Sequence, residues 1–116
     1  MINNDENTIG NLKIAVLIPC HNEELTISKV VSDFYAFLPE ASVYVFNNAS
    51  QDKTKDIAKK AGAIVFDEPN KGKGNVTRRM FADVDADLFI IVDGDDTYDA
   101  SKSRYMVNHL INNNLD

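Results

Sequence analysis

The sequence predicts an α/β fold built on a mostly parallel sheet of about four strands flanked by helices. Four short apolar runs alternate along the chain with four segments whose apolar residues recur every three or four positions. This alternation is typical of βαβ units, whose right-handed crossovers place successive strands parallel in one sheet. The fourth run, residues 88–92, is apolar throughout, as expected of a strand covered on both faces. A strand order of 3-2-1-4, as in one half of a doubly wound fold, is expected.

The composition indicates one globular domain. The chain has 116 residues, close to the commonest domain size, and twelve basic against eighteen acidic residues give a net charge of −6. This charge argues against non-specific binding to nucleic acid or anionic membranes. The single cysteine, Cys20, is typical of a reducing compartment such as the cytoplasm, and no apolar run approaches the roughly 20 residues of a membrane span. Residues 1–11 are polar and predict a loose arm before a domain over residues 12–116.

The first βα unit is predicted from a strand at residues 13–18 and the helix that follows it. The strand is expected to stop at Pro19, with PCHNEE as a loop. Asn22 is the expected N-cap, which places Glu23 in the first helical turn, where a carboxylate suits the helix dipole. Pro39 is expected to end this helix. Its inward face comprises Ile27, Val30, Val31, Phe34, Phe37 and Leu38.

The remaining units repeat this plan. Strands are predicted at residues 43–46, 63–66 and 88–92, and Gly62 is expected to end the second helix. The third helix follows the loop DEPNKGKGN and is expected to bury Val76, Met80, Phe81 and Val84. A last helix from about Ser101 is expected to turn one side inward, formed by Tyr105, Met106, His109 and Leu110.

Carboxylates cluster directly after the fourth strand, in the segment DGDDTYD at residues 93–99. The loops after parallel strands share one edge of the sheet, and the order 3-2-1-4 places the loops after strands one and four at the crevice where the sheet reverses. Asp93, Asp95 and Asp96 repel one another unless a cation joins them, and a divalent ion with oxygen ligands is the usual partner. We therefore expect a metal site here, with a merely solvated acidic turn as the alternative.

Two common nucleotide-binding motifs are absent from the sequence. The loop after strand one has no glycine, which excludes the dinucleotide fingerprint, and KGKG lacks the spacing of a P-loop, although Lys71 and Lys73 there suit an anion. Asp93, Asp95 and Thr97 fit the D-x-D-x-T pattern of haloacid-dehalogenase-type phosphatases. That pattern usually lies on the first strand and needs a lysine and further acids on later strands. The phosphatase is kept as an alternative.

Four motifs in order resemble the nucleotide-sugar-binding half of family 2 glycosyltransferases: IPCHNEE, FNNASQDKT, NKGKGNVTRR and VDGDDTYD. The resemblance spans residues 13–99 and is greatest to bacterial enzymes similar to dolichyl-phosphate mannosyl- and glucosyltransferases. It implies a GT-A, Rossmann-like fold and an inverting sugar transfer from a nucleoside diphosphate sugar, with Mg²⁺ or Mn²⁺ as the metal. It also implies an acceptor such as polyprenyl phosphate, reached at the inner face of the membrane.

The resemblance assigns roles to individual residues. His21 stands where the family usually has a tyrosine, and an imidazole can also stack on a base. Asn47 and Asn48 replace the usual Asp-Asp pair, which leaves the base preference open because an amide both donates and accepts. Asp93 is placed near the ribose and the metal, and Asp95 on the metal that bridges the diphosphate. The implied nucleotide-binding residues are Pro19, His21, Glu23, Phe46, Asn48, Lys73, Arg78, Asp93 and Gly94, and the implied metal ligands are Asp93 and Asp95.

The resemblance also implies that the acceptor side is missing. In the family the acceptor-binding half follows the Asp-x-Asp strand, and only 21 residues follow Asp95 here. We therefore expect a truncated chain that binds the donor and does not transfer sugar alone, with the catalytic base located beyond Asp116. The strand edge left uncovered is expected to pair with a second copy, giving a homo-oligomer.

Overall fold

The computed structural model describes residues 12–114. Strands and helices alternate as predicted: β1 (Ile14–Cys20), α1 (Ile27–Phe37), β2 (Ser42–Asn48), α2 (Thr54–Lys60), β3 (Ile64–Glu68), α3 (Lys73–Asp83), β4 (Leu88–Ile91) and α4 (Ser103–Asn114). A short 3₁₀ helix, Ala100–Lys102, precedes α4. The four strands are parallel in the order β3-β2-β1-β4, which confirms the predicted topology. Their carboxyl ends therefore meet at one edge of the sheet.

Two expectations concern the ends of the chain. The predicted N-terminal arm, residues 1–11, lies outside the described residues, and so does Asp116, the last residue of the predicted domain. The catalytic base was expected beyond Asp116, so its location is not tested by the described residues and stays a prediction.

The sheet is packed on both faces by helices. Val16 and Ile18 of β1 face a large apolar cluster with α1 and α4, whereas Ala15 and Leu17 face a smaller cluster with α3. Such alternation buries a central strand on both sides, so its sequence is apolar throughout. The residues at the centre of the large cluster are Val31, Phe34, Val45 and Val107, and those of the small cluster are Phe46, Val76 and Met80.

Strand β1 runs through Pro19 to Cys20, so the predicted stop at Pro19 is wrong. The pairing of β1 with β4 ends at Leu17 and Ile91, and Pro19 pairs only with β2. A residue without an N–H is tolerated there because the strand has lost one of its two neighbours.

The start of α1 also differs from the prediction. Thr26, not Asn22, occupies the N-cap, and no acidic residue lies in the first turn. Asn22 has a φ of +56°, a left-handed conformation that asparagine tolerates better than most residues. Residues 21–26 therefore form a loop at the sheet edge, and Glu23 belongs to this loop. Gly62 follows α2 with a φ of +102°, as expected of a helix-terminating glycine.

The predicted buried faces are only partly correct. Val76 and Met80 of α3 and the adjoining Val84 are buried as predicted, whereas Phe37 of α1 is 45% exposed. Phe81 of α3 is 55% exposed, and the inward side of α4 is formed by Ser103, Val107 and Ile111, while Tyr105 is 76% exposed. Apolar residues occupy more than one side of α4, so spacing alone did not single out the buried side. The 3₁₀ helix directly before α4 buries Ala100 in the large cluster, and Asp99 caps this short helix by accepting a hydrogen bond from the amide of Ser101 at 3.0 Å.

The outer edge of β4 has no strand partner among the described residues, because β4 pairs with β1 alone. Ile91 on this strand is 51% exposed, and Phe81 packs edge-on against Phe89 with ring centroids 5.5 Å apart. Open strand edges with exposed apolar neighbours are favoured places for pairing with another chain. Within residues 12–114, no helix has the length and apolar character to cross a membrane.

Candidate functional site

A cleft opens at the carboxyl ends of β1, β2 and β4, beside the start of α3. Its volume of about 260 Å³ lies near the lower end for small-molecule sites, which begin at roughly 300 Å³. The polar lining comprises His21, Glu23, Asn48, Lys73, Thr77 and Asp93, and the rest is Pro19, Cys20, Val76, Met80 and Ile91. The structure thus brings the loops after strands one and four to one crevice, as the predicted topology requires.

The loop after β1 is held in place by the loop after β2. The Asn22 amide donates to the hydroxyl of Ser50 at 3.0 Å, and the Gln51 amide donates to the side-chain oxygen of Asn22 at 2.8 Å. The Glu23 amide donates to the hydroxyl of Thr54 at 2.8 Å. The left-handed φ of Asn22 therefore accompanies hydrogen bonds that join the two loops. These bonds fix the part of the cleft wall that carries His21 and Glu23.

His21 lies on the cleft wall with both ring nitrogens engaged. Nδ1 is 2.7 Å from the carbonyl oxygen of Asn48, and a carbonyl only accepts, so Nδ1 carries the hydrogen. In the neutral ring Nε2 is then an acceptor, and the side-chain amide of Asn22 lies 3.3 Å from it. These contacts hold the imidazole on the cleft wall, between the loops after β1 and β2.

The side chain of Asn48 hydrogen-bonds to the segment that joins β3 to α3. Its Nδ2 donates to the carbonyls of Glu68 and Asn70 at 3.0 and 2.9 Å, and its Oδ1 accepts from the Gly72 amide at 3.0 Å. The residue is only 7% exposed. Its amide hydrogens and oxygen therefore hold the segment that leads to Lys73, and the side chain is less available to a base than the sequence suggested.

The neighbouring Asn47 is also buried, with its Nδ2 donating to a carboxylate oxygen of Asp67 at 3.1 Å. Four of the predicted site residues do not line the cleft: Phe46, Arg78, Gly94 and Asp95. Phe46 is fully buried and stacks on Phe66 with centroids 5.3 Å apart, so its side chain belongs to the core. Arg78 is exposed and borders a separate depression on α3 with Arg79 and Glu68.

The acidic turn after β4 combines two exposed carboxylates with a buried glycine. Asp93 and Asp95 are exposed, and Gly94 between them is buried. Asp95 accepts hydrogen bonds from the hydroxyl and the amide of Thr97 at 2.7 and 3.1 Å. These bonds, the hydroxyl first, lower the pKa of Asp95 and keep it ionised. Asp93 lines the cleft opposite the first loop.

The carboxylates at this edge repel one another. Partial burial raises the pKa of Glu23, and the charges of Asp95 and then Asp93 raise it further. Among the ion pairs of the described residues, none joins a lysine or arginine to Asp93 or Asp95. A hard divalent cation fits this uncompensated pair of oxygen donors. Within residues 12–114 no three potential ligands converge into a complete metal cage, so the protein would supply only part of a coordination sphere.

The residues that support the acidic turn were not predicted from the sequence. The hydroxyl of Thr26 lies 2.5 Å from the carbonyl oxygen of Gly94, 68 residues away in the sequence. Lys29 pairs with Asp96 at 3.1 Å, and Asp96 has a φ of +66°. The only sequence signal at Thr26 was a residue type common at helix N-termini, which does not indicate a distant partner.

Known proteins match this chain over most of its length. A model of "Glycosyl transferase family 2" matches residues 15–116. Protein RfbJ of Shigella flexneri is 58% identical over 106 residues, which cover 91% of this chain and 82% of that protein. A dolichyl-phosphate hexose transferase of Haloferax volcanii is 31% identical over 85 residues, 73% of this chain and 37% of that protein.

Solved structures with the same fold include glucosyl-3-phosphoglycerate synthase of Mycobacterium tuberculosis. Its complex with Mn²⁺, UDP-glucose and phosphoglyceric acid has a TM-score of 0.70 and 25% sequence identity. The alignment covers 81% of this chain and 37% of that one. The chain therefore spans most of RfbJ but little more than a third of the other two proteins.

Proposed function

The chain belongs to glycosyltransferase family 2, with a GT-A fold, and from this premise we propose that it binds a nucleoside diphosphate sugar together with Mg²⁺ or Mn²⁺ for inverting transfer to an acceptor. The observation that carries the proposal is the shared cleft in which Asp93 faces the loop with His21 and Glu23. The similar synthase of M. tuberculosis was crystallised with Mn²⁺ and UDP-glucose, which supports a nucleotide-sugar donor.

In this proposal the cleft divides between the nucleoside and the diphosphate. His21 and Glu23 of the loop after β1, with Pro19 near the end of β1, would contact the base and ribose. Lys73 is the first residue of α3 and lines the cleft, so its ammonium group and the positive end of the helix dipole both favour a phosphate. Asp93 and Asp95 hold the metal beside the diphosphate. The incomplete ligand set agrees with Mg²⁺ chemistry, in which one or two carboxylates and the substrate phosphates share the ion.

Departure of the nucleoside diphosphate builds negative charge on its phosphates. When bound, the metal supplies Lewis-acid stabilisation of this charge. Thr97 orients Asp95 through two hydrogen bonds, Lys73 adds a positive charge to the cleft, and Gly94 allows the turn to approach the first loop closely. In this proposal these groups would surround the developing charge, and charges fixed in place by the fold are the usual source of electrostatic catalysis.

The described residues carry no candidate for a general base at the acceptor, and a base beyond Asp116 remains a prediction. An acceptor phosphate such as polyprenyl phosphate is already anionic and needs none. The dolichyl-phosphate hexose transferase among the relatives supports an acceptor of this class. A second candidate function is a donor-binding module that depends on further protein for transfer. It is favoured by the small share of the longer relatives that this chain spans.

The phosphatase alternative receives no support. Its D-x-D-x-T pattern is expected on the first strand, whereas Asp93 follows the fourth strand of this sheet. In the described residues, no lysine or arginine pairs with Asp93 or Asp95, as phosphoryl transfer at an aspartate would require.

Calorimetric titration of UDP, GDP and UDP-glucose, each with Mn²⁺ and with excess chelator, tests the proposal. We expect Mn²⁺ to strengthen binding by about tenfold or more, and Asp95→Asn to remove this gain. Asp85→Asn is the matched control, because it removes the same charge from an exposed site in the segment before β4. Equal binding with metal and with chelator would contradict the metal role. Incubation with polyprenyl phosphate then distinguishes the transferase, which forms a glycolipid, from the donor-binding module, which does not.

A further inference from the structure

The acidic turn rests directly on the loop after β1. A Cβ atom at Gly94 would lie 2.6 Å from Sγ of Cys20 and 3.3 Å from Cγ of Glu23, and the first distance is shorter than any real contact of this kind. Cys20 is a buried strand residue and cannot move aside easily. Glycine is therefore required between Asp93 and Asp95 because the backbone itself packs against the first loop.

Thr26 adds a directed bond to this packing. Its hydroxyl has one hydrogen to donate and lies near two carbonyl oxygens, that of Gly94 at 2.5 Å and that of Glu23 at 3.5 Å. The shorter distance identifies Gly94 as the acceptor. Thr26 occupies the N-cap position of α1, yet its side chain makes no capping bond to the helix. The hydroxyl thus contributes to the acidic turn where this residue type usually serves its own helix.

A second polar contact links α1 to the turn and is weaker, while Phe34 of α1 also stacks on Tyr98 with ring centroids 6.0 Å apart. Lys29 reaches Asp96 at 3.1 Å but also pairs with Asp33 at 2.7 Å, and its side chain is 64% exposed. An exposed lysine shared between two carboxylates constrains neither strongly. The half-buried bond from Thr26 is therefore the stronger of these two polar restraints, and it acts directly on the peptide between Asp93 and Asp95.

We propose that Thr26 is a positioning residue of the donor site, whose hydroxyl fixes the Gly94 peptide and thereby the relative placement of Asp93 and Asp95 as ligands of one metal ion. The inference rests on the proposed function. It extends that function, because the segment from Cys20 to Thr26 carries His21 as well. The cleft wall that carries His21 and the acidic turn are then held in one fixed arrangement. Loss of the hydroxyl would reduce the effect of the metal on nucleotide affinity.

The test compares UDP affinity with Mn²⁺ and with chelator in Thr26→Val, which keeps the shape and loses the hydroxyl, and in Thr26→Ser, which keeps the hydroxyl. We expect Thr26→Val to weaken binding with Mn²⁺ about fivefold, the usual effect of one lost hydrogen bond, and to leave binding in chelator unchanged. Thr26→Ser should restore the wild-type value. Ser32→Val is the control, an exposed position on the same helix. Wild-type Mn²⁺ dependence in Thr26→Val, or equal weakening with and without metal, would overturn the proposal.

A second measurement does not depend on nucleotide binding. The amide of Thr97 donates to Asp95 at 3.1 Å, and its hydrogen exchange should be faster in Thr26→Val than in the wild type, and unchanged in Ser32→Val. Unchanged exchange in Thr26→Val would also overturn the proposal, whether or not nucleotide binds. Absence of metal-dependent UDP binding by the wild type would instead refute the proposed function. If Thr26→Val loses its cooperative thermal transition, Thr26→Ala removes the hydroxyl without placing a methyl group against the turn.

Discussion

Replacing Asn48 with aspartate tests how this chain holds the loop that carries Lys73. Asn48 donates two hydrogen bonds to the carbonyls of Glu68 and Asn70 and accepts one from the Gly72 amide. Aspartate keeps the acceptor and loses both donors, so two carbonyl oxygens then face a carboxylate. With 7% exposure at this position, water has little access to replace the lost bonds.

The magnitude follows from these contacts. Two lost hydrogen bonds cost about 2 kcal/mol, and a poorly compensated buried charge adds about 1 kcal/mol or more, so we expect about 3 kcal/mol at neutral pH. Burial beside two carbonyls raises the pKa of the new carboxyl above the ordinary value of about 3.9. The folded state then binds more protons than the unfolded state, so the stability of Asn48→Asp falls as the pH rises between the two pKa values.

Urea denaturation at pH 4.5 and pH 7.5 measures this difference. Gln51→Glu is the control, because it makes the same change from amide to carboxylate at an exposed loop position. We expect the free energy of unfolding of Asn48→Asp to drop by about 3 kcal/mol at pH 7.5 and by less at pH 4.5, and that of Gln51→Glu to change by under about 0.5 kcal/mol. A loss below about 1 kcal/mol at both pH values would refute the assigned role of Asn48.

Two further predictions concern stability and assembly. The guanidinium of Arg104 on α4 holds the pKa of Glu40 below its usual range. At pH values above the ordinary pKa of glutamate, this ion pair therefore stabilises the fold. Its contribution is lost as the pH falls through the lowered pKa of the folded state. Glu40→Gln should cost about 0.5 kcal/mol at pH 7, with no difference from the wild type in strong acid, and thermal unfolding across that range checks it. The open edge of β4, with Phe81 and Ile91 half exposed, should pair with a second copy. Sedimentation should show concentration-dependent dimers that Phe81→Lys weakens, and a monomer at all concentrations would contradict this.

The fold was predictable because it follows from periodicity and topology. Alternating apolar runs specify parallel βαβ units, and the order 3-2-1-4 then places the acids after β4 beside the loop after β1. Asp93, His21 and Glu23 line one cleft for this reason. No local geometry was needed, since the carboxyl ends of parallel strands always share an edge.

The remaining details depend on contacts distant in sequence. Asn48 bonds to residues 20 to 24 positions away, and Thr26 to Gly94 across 68 positions, so neither role is visible in local spacing. Phe46 was expected to contact the base, but strand alternation turns it under α3, into the core. The inward side of α4 is formed by Ser103, Val107 and Ile111, and spacing did not single it out because apolar residues lie on more than one side of the helix. These features are fixed by tertiary packing, which overrides local pattern.

The central proposal is that Asp93 and Asp95 would hold a divalent ion beside the diphosphate of the donor. A crystal structure of this chain with Mn²⁺ and UDP, with anomalous diffraction to locate the metal, tests it most directly. The account predicts an anomalous peak at about 2.1 Å from a carboxylate oxygen of Asp95 and from phosphate oxygens, with the uracil against His21. A peak away from the acidic turn, or UDP bound outside the cleft, would contradict the account.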